Sequence, residues 1–337
     1  MYIFIAGLAA GLVIILFASE FFTNGMEALG QKFSFSQAVL GSLLAAVGTA
    51  LPETILPIVA VLLGREAAAK EIGIGAILGA PFMISTLAFS LVGITALLRS
   101  GKHSRFIEAE EGSTKRDLIF FILMYSSAVF LPAYFKTIST VLIAFGLITA
   151  YFFYALLTVR SDSGALGHFE GLHLFTLQKR LRLAKHSSPQ ILLIASQIIV
   201  AVAAMIYGSR LFVQNLQQIS TIFGLNPMLF ALILAPIATE LPEKFNSISW
   251  MLKGKDSLAL GNLTGAMVFQ SVFPVTVGLL FTSWQLTRLA FISAGFSLLS
   301  AAILLAAVTR TKKISPYILL LSGSFYLLYF LALFLHH

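Results

Sequence analysis

Residues 234–250 read LAPIATELPEKFNSISW, and this stretch decides how the rest of the chain is read. Glu240, Glu243 and Lys244 interrupt an apolar run of the kind that packs into lipid. A carboxylate at the centre of a bilayer costs about 2.5–3.5 kcal/mol even on the mildest insertion scales, so such groups mark function unless partners neutralise them. The surrounding composition says that lipid is the right solvent. Of 337 residues 58% are hydrophobic and 11% charged, with 30 Phe, no Cys and a mean hydropathy of +0.93. A soluble chain of this length buries its core with far more ionic surface than this. The absence of cysteine rules out a disulfide framework and thiolate chemistry.

A helix crosses the hydrocarbon layer with roughly 20 mainly apolar residues. That length criterion predicts ten spans, at about 3–22, 36–63, 72–98, 118–135, 138–159, 190–213, 227–252, 257–281, 286–308 and 315–335. The first carries no basic stretch before it and reads as a retained helix rather than a signal peptide. The basic residues set the orientation. Sixteen of the 22 Lys and Arg fall in connections on one side, among them Arg99, Lys102, Arg105, Arg180, Arg182, Lys253 and Lys313. Five fall on the other side: Arg65, Lys70, Lys136, Arg210 and Arg288. The basic-rich side is cytoplasmic, which places both termini outside the cell membrane. The net charge of +8 is therefore topological and does not imply a nucleic-acid partner.

The opening stretch has a twin at an offset of 190: GTALPET (48–54) aligns with ATELPEK (238–244), pairing Thr49 with Thr239, Pro52 with Pro242 and Glu53 with Glu243. ASEFF (18–22) meets GSRLF (208–212) at the same offset, and GAILGA (75–80) meets GNLTGA (261–266) at 186. Each copy then holds five spans, and an odd number turns the second copy upside down. The expected fold is an all-α membrane protein of ten transmembrane helices in two inverted five-helix repeats, 1–159 and 190–337. A basic cytoplasmic linker, 160–189, joins them. Within it LHLFTLQKRLRLAKH (172–186) alternates apolar and basic faces, as a lipid-surface segment, a solvated linker or a calmodulin-type target would. In inverted repeats the substrate sits at the midplane on interrupted helices. Pro52 and Pro242 would supply the interruptions, each lacking an N–H and freeing a carbonyl one turn earlier, near Thr49 and Thr239.

A duplicated TxLPE, each copy followed by a glycine-rich helix, resembles the calcium/cation antiporter superfamily and its sodium/calcium exchanger membrane region. The family's repeats run roughly G-T-S-L-P-E-x-x-x-S and G-N-x-x-G-S-N-x-x-N/D. The resemblance implies a transporter rather than an enzyme: a secondary antiporter that moves Ca2+ in exchange for Na+ by alternating access. Its central glutamates fall on Glu53 and Glu243, its threonines on Thr49 and Thr239, and its late amide or carboxylate on Gln270; Asn262 and Ser247 also match. The departures are Ala50, Ala80, Ala266, Ile84 and Pro57 where side-chain oxygens are expected, and Glu240 in place of a serine. They bear on the coupling ion, with H+ as the alternative to Na+.

The residues themselves carry the same chemistry. Two carboxylates with hydroxyls and freed carbonyls suit a hard cation that takes roughly 6–8 oxygens, whereas the six His lie in loops or at the C-terminus. The bland reading of Glu53 and Glu243 is a pair of protonated, hydrogen-bonded carboxyls. Glu240 and Lys244, four apart with Glu leading, either pair with one another or leave Glu240 as a ligand. Glu20 and Arg210, at equivalent positions near the predicted ends of their helices, read as interfacial anchors or as vestibule charges. The chain lacks the G-x-x-x-x-G-K-[ST] spacing of a phosphate loop, so no nucleotide and no cofactor is expected. The partners are the bilayer and inorganic cations. A rival class is a membrane sensor or scaffold that keeps the fold with a degenerate site; a channel is a third, which the prolines and duplicated carboxylates do not favour.

Overall fold

The computed structural model describes residues 1–33, 45–64, 66–99, 106–135, 137–161, 172, 191–311 and 313–335. It is helical almost throughout. In chain order the helices are α1 (Tyr2–Lys32), α2 (Ala45–Ile58), α3 (Ala67–Met83), α4 (Phe89–Leu98), α5 (Glu111–Tyr134), α6 (Thr140–Ser161), α7 (Ile191–Phe223), α8 (Pro227–Thr239), α9 (Leu241–Leu252), α10 (Asp256–Gln270), α11 (Phe273–Phe281), α12 (Arg288–Arg310) and α13 (Pro316–Leu335). Single π-helical turns extend α2 over Val59–Leu63 and join α3 to α4 over Ile84–Ala88. Among the described residues eight helical runs are long and apolar enough to cross a membrane. Glu53–Leu63 and Pro227–Ile237 are shorter apolar helices inside two of the predicted spans. Most of the linker 160–189, with its amphipathic stretch, lies outside the described residues. Leu172 is described, and it packs with Ala28 and Ile194 where α1 ends and α7 begins.

Two long helices, α1 and α7, run antiparallel along each other in the most extensive pairing among the described residues. They approach closely at glycines: a Cβ on Gly11 would sit 2.8 Å from the Gly208 carbonyl oxygen, and one on Gly208 would sit 3.0 Å from that of Gly11. Small residues that let backbones touch are how helices associate in lipid, where no hydrophobic difference drives them together. Both helices run about ten residues past the expected ends, to Lys32 and Phe223. Polar groups in the first extension meet the neighbouring helix. Gln197 Nε2 donates to the Phe21 carbonyl (2.9 Å) and to Asn24 Oδ1 (3.0 Å). Glu20 and Arg210 consequently lie well inside their helices, on exposed faces shared with Phe17 and Tyr207, rather than near helix ends.

The centre is built from α2, α3, α8, α9, α10 and α11. The second pairing in extent joins α3 to α8, and glycine permits it too. A Cβ on Gly75 would lie 2.1 Å from the Met228 carbonyl oxygen, and one on Gly79 2.2 Å from that of Leu232. The glycine-rich stretch GIGAILGA (73–80) thus lets two backbones meet. At Gly261 and Gly265 a Cβ would meet nothing within 4 Å among the described residues. The start of α8 is capped in the usual manner, with Asn226 Oδ1 accepting from Leu229 N (3.1 Å) and Pro227 at the first helical position.

At one end of the bundle three connections meet. Arg99 pairs with Asp256 (2.5 Å), both nearly buried, and the Glu108 amide donates to the same carboxylate (3.1 Å). Ser257 Oγ donates to the Glu108 carbonyl (3.1 Å), and β1 (Ile107–Glu108) pairs antiparallel with β2 (Lys313–Ile314). These connections, after α4, before α10 and before α13, are three of those assigned from basic residues to a single side.

Candidate functional site

The two TxLPE stretches behave differently. In the second, α8 ends at Thr239, Glu240 takes a non-helical conformation (φ −104°, ψ 4°), and α9 restarts at Leu241. Pro242 thus coincides with a break, as expected from its missing N–H. In the first, α2 passes through Pro52 without a break, and the irregularity lies one to two turns later in the π-helical turn Val59–Leu63. The expected interruption at Pro52 is corrected accordingly. A proline in a helix can be absorbed when neighbouring helices re-satisfy the freed groups.

Between these stretches the structure gathers a buried polar cluster. Glu53, on α2, is 3% exposed, and its Oε2 accepts a hydrogen bond from Gln270 Nε2. Gln270 is the last residue of α10 and is fully buried; it also lies against the Glu240 carboxylate. Glu240, likewise fully buried, pairs through Oε2 with Lys244 Nζ at 2.9 Å. This settles the pairing question: Glu240 and Lys244 form an ion pair one helical turn apart. It does not remove Glu240 from the site, because its Oε1 and the Oε1 of Gln270 are buried and engage no hydrogen-bond partner among the described residues. A buried polar atom left unsatisfied costs about 1–3 kcal/mol, more for a charged group, so such oxygens call for a partner, whether water or an ion.

The remaining expected residues divide. Thr239 is buried and its hydroxyl donates back to the Ala235 carbonyl (3.3 Å), which leaves its oxygen lone pairs as acceptors. Asn262 Nδ2 donates to Ser247 Oγ (3.0 Å) and ties α10 to α9 beside the cluster. Thr49 and Glu243 are placed on α2 and α9 by their backbones; their side chains lie outside the described residues. Ala80, Ala266 and Ile84, which stand where the resemblance expects side-chain oxygens, are all buried.

Some contributors were not visible in the sequence. Tyr326, on α13, lies within electrostatic reach of Glu240 and stacks on Phe82 of α3 with ring centroids 5.4 Å apart. Serines of α12 hold the π-helical turn after α3. Ser297 Oγ donates to the Pro81 carbonyl (3.1 Å), Ser300 Oγ donates to the Ser85 carbonyl, and Ser85 Oγ reaches Ser297 Oγ (2.9 Å). A π turn leaves backbone groups without their regular partners, and here hydroxyls from another helix satisfy them. On the far side of α10, Thr264 Oγ1 and Tyr154 OH both donate to the buried Asp117 carboxylate, at 2.8 and 2.9 Å. The helix that delivers Gln270 is thus fixed on two faces. No local signal in the sequence links residues so far apart.

The family model described as sodium/calcium exchanger protein matches residues 3–160 and 193–335. The chain is 24% identical to the putative antiporter CaxA of Alkalimonas amylolytica, over 95% of this chain and 96% of that one. It is 21% identical to the inner membrane protein YrbG of Escherichia coli (strain K12), over 92% and 89%. The crystal structure of the H+/Ca2+ exchanger CAX superposes with a TM-score of 0.73 at 18% identity, covering 98% of this chain and 82% of the other. The sodium-calcium exchanger NCX_Mj superposes at 0.59, also at 18% identity, covering 97% of each. At these identities the two structures establish a shared fold.

Proposed function

Because the chain belongs to the sodium/calcium exchanger protein family, whose apolar helices make it an integral membrane protein, we propose that it is a secondary antiporter that moves Ca2+ by alternating access. The observation that carries this reading is the cluster Glu53–Gln270–Glu240–Lys244. It joins elements from both TxLPE halves in a buried position and leaves carboxylate and amide oxygens open for a hard cation. Glu243, repeat-equivalent to Glu53, would complete the site from α9, with oxygens of Thr49 and Thr239 beside it.

The architecture behind it is ten transmembrane helices in two inverted repeats. Several observations support that. Residues 11–20 and 201–210, at the sequence offset of 190, pass through the same order of buried, half-buried and exposed positions. The helices carrying GAILGA and GNLTGA both lose regular α geometry at equivalent points, Ile84–Ala88 and Ser271–Val272. The basic-rich connections lie inside and both termini outside.

Sodium is the counter-ion that the family resemblance carries, with ligands from Thr49, Thr239, Ser247 and freed carbonyls. The proton is a second reading, favoured by one observation: Ala80, Ala266 and Ile84 line the interior with no side-chain oxygen, while Glu240 adds a carboxylate. Radiolabelled calcium uptake into proteoliposomes tests both. Uptake driven by an outward sodium gradient and indifferent to pH supports sodium; uptake driven by a proton gradient without sodium supports the proton. No calcium flux under either gradient would leave the sensor or scaffold reading.

A further inference from the structure

The site holds buried charge of both signs, and the positive one is unexpected in a cation transporter. We propose that Lys244 is a tethered cation. Its ammonium takes the place of one monovalent coupling ion, so that the site exchanges one divalent cation for two monovalent charges, with no net charge moved. This rests on the reading of the cluster as the exchange site and specifies what that site carries.

Three observations converge. First, Lys244 and Glu240 are 5% and 0% exposed and 2.9 Å apart, with the glutamate one turn N-terminal. That order is the favourable one on a helix, and neither charge would be tolerated alone at this depth. Second, the pair occupies only half of the carboxylate. Glu240 Oε2 holds the ammonium while Oε1, like Gln270 Oε1, is buried with no hydrogen-bond partner among the described residues. The carboxylate therefore stands between a cation that cannot leave and an open position. Third, the charges balance for one divalent ion. With Glu243 in the site as proposed above, Glu53, Glu240 and Glu243 contribute three negative charges and Lys244 one positive, leaving two. Among the described residues, Gln270 and Tyr326, which interact with Glu240, are formally neutral. Calcium brings the site to neutrality, and so do two monovalent cations. A neutral site in either loaded state crosses a low-dielectric barrier without the penalty of a moving net charge.

The test is calcium accumulation in proteoliposomes at a series of imposed membrane potentials, for the wild type, Lys244→Met, Glu240→Gln and the double variant. In the wild type the final calcium ratio should not change with potential. Lys244→Met raises the site to three negative charges, so three monovalent cations, rather than two, exchange for one calcium. One elementary charge then moves per cycle, and the ratio should shift by up to about 50-fold per 100 mV. Glu240→Gln alone leaves one negative charge and should lose calcium uptake. The double variant restores two and should regain potential-independent uptake relative to Glu240→Gln; it also serves if Lys244→Met does not fold. A wild-type ratio that follows potential would overturn the tethered cation while leaving calcium exchange intact. So would a Lys244→Met ratio that ignores potential, or a double variant no better than Glu240→Gln. A wild type without any calcium flux would overturn the exchange reading and this proposal together.

Discussion

Replacing Gly79 with alanine tests whether the contact between α3 and α8 positions the site. The added Cβ would lie 2.2 Å from the Leu232 carbonyl oxygen and 2.8 Å from Pro236 Cγ. Real Cβ contacts essentially never fall below 3.0 Å, so the two backbones must part by about 0.8 Å. Helix α3 has little room to yield, since nearly every residue from Ile72 to Met83 is buried. The displacement therefore passes to α8, whose C-terminus delivers Thr239 and Glu240. Overpacking of this kind costs roughly 1–3 kcal/mol. If all of it appears in binding, calcium affinity falls about 5- to 150-fold. Equilibrium calcium binding and thermal melting of the purified protein in detergent measure the two expressions of the cost. Gly146→Ala on α6 is the control: a Cβ there meets nothing within 4 Å among the described residues, and alanine improves a helix by about 0.5–1 kcal/mol. A Gly79→Ala protein with wild-type melting and calcium affinity would refute the argument.

Glu53→Gln and Glu243→Gln should each abolish calcium exchange and leave a folded, membrane-inserted protein; near-normal flux in either would remove that residue from the site. Asp256→Ala strips the nearly buried Arg99 of its partner and should destabilise by about 3–5 kcal/mol, seen as a lower Tm, with a milder effect from the isosteric Asn. An unchanged Tm would mean that the pair contributes nothing to holding the connections together. The chain has no native Cys, so single cysteines report topology cleanly. Lys253→Cys and Thr311→Cys should be labelled by an impermeant thiol reagent only from the cytoplasmic side, and Thr221→Cys only from outside; the reverse pattern would invert the orientation.

Much of this was legible in the sequence because membrane helices advertise themselves by length and because a duplicated TxLPE is specific. The glycines of 73–80 signal a close helix approach without naming α8 as the partner, and the i, i+4 separation of Glu240 and Lys244 allows their pair without deciding it. What could not be read was anything decided by a distant partner. Length alone places the first span at about 3–22, yet α1 continues past it, and Gln197, 173 residues from Asn24, hydrogen-bonds to Asn24 there. Pro52 looked like a helix break, but the helix runs through it. Tyr326 and the serines of α12 reach the site region from spans with no motif of their own. Local hydropathy registers the cost of a polar residue in lipid but not the neighbour that offsets it.

Equilibrium binding of radiolabelled calcium to the purified protein tests most directly whether Glu53 and its companions form one divalent-cation site. One calcium per chain is expected, lost in Glu53→Gln and displaced by an excess of strontium, a like-charged oxygen-seeking ion. Calcium binding by Glu53→Gln with wild-type stoichiometry and affinity would contradict it.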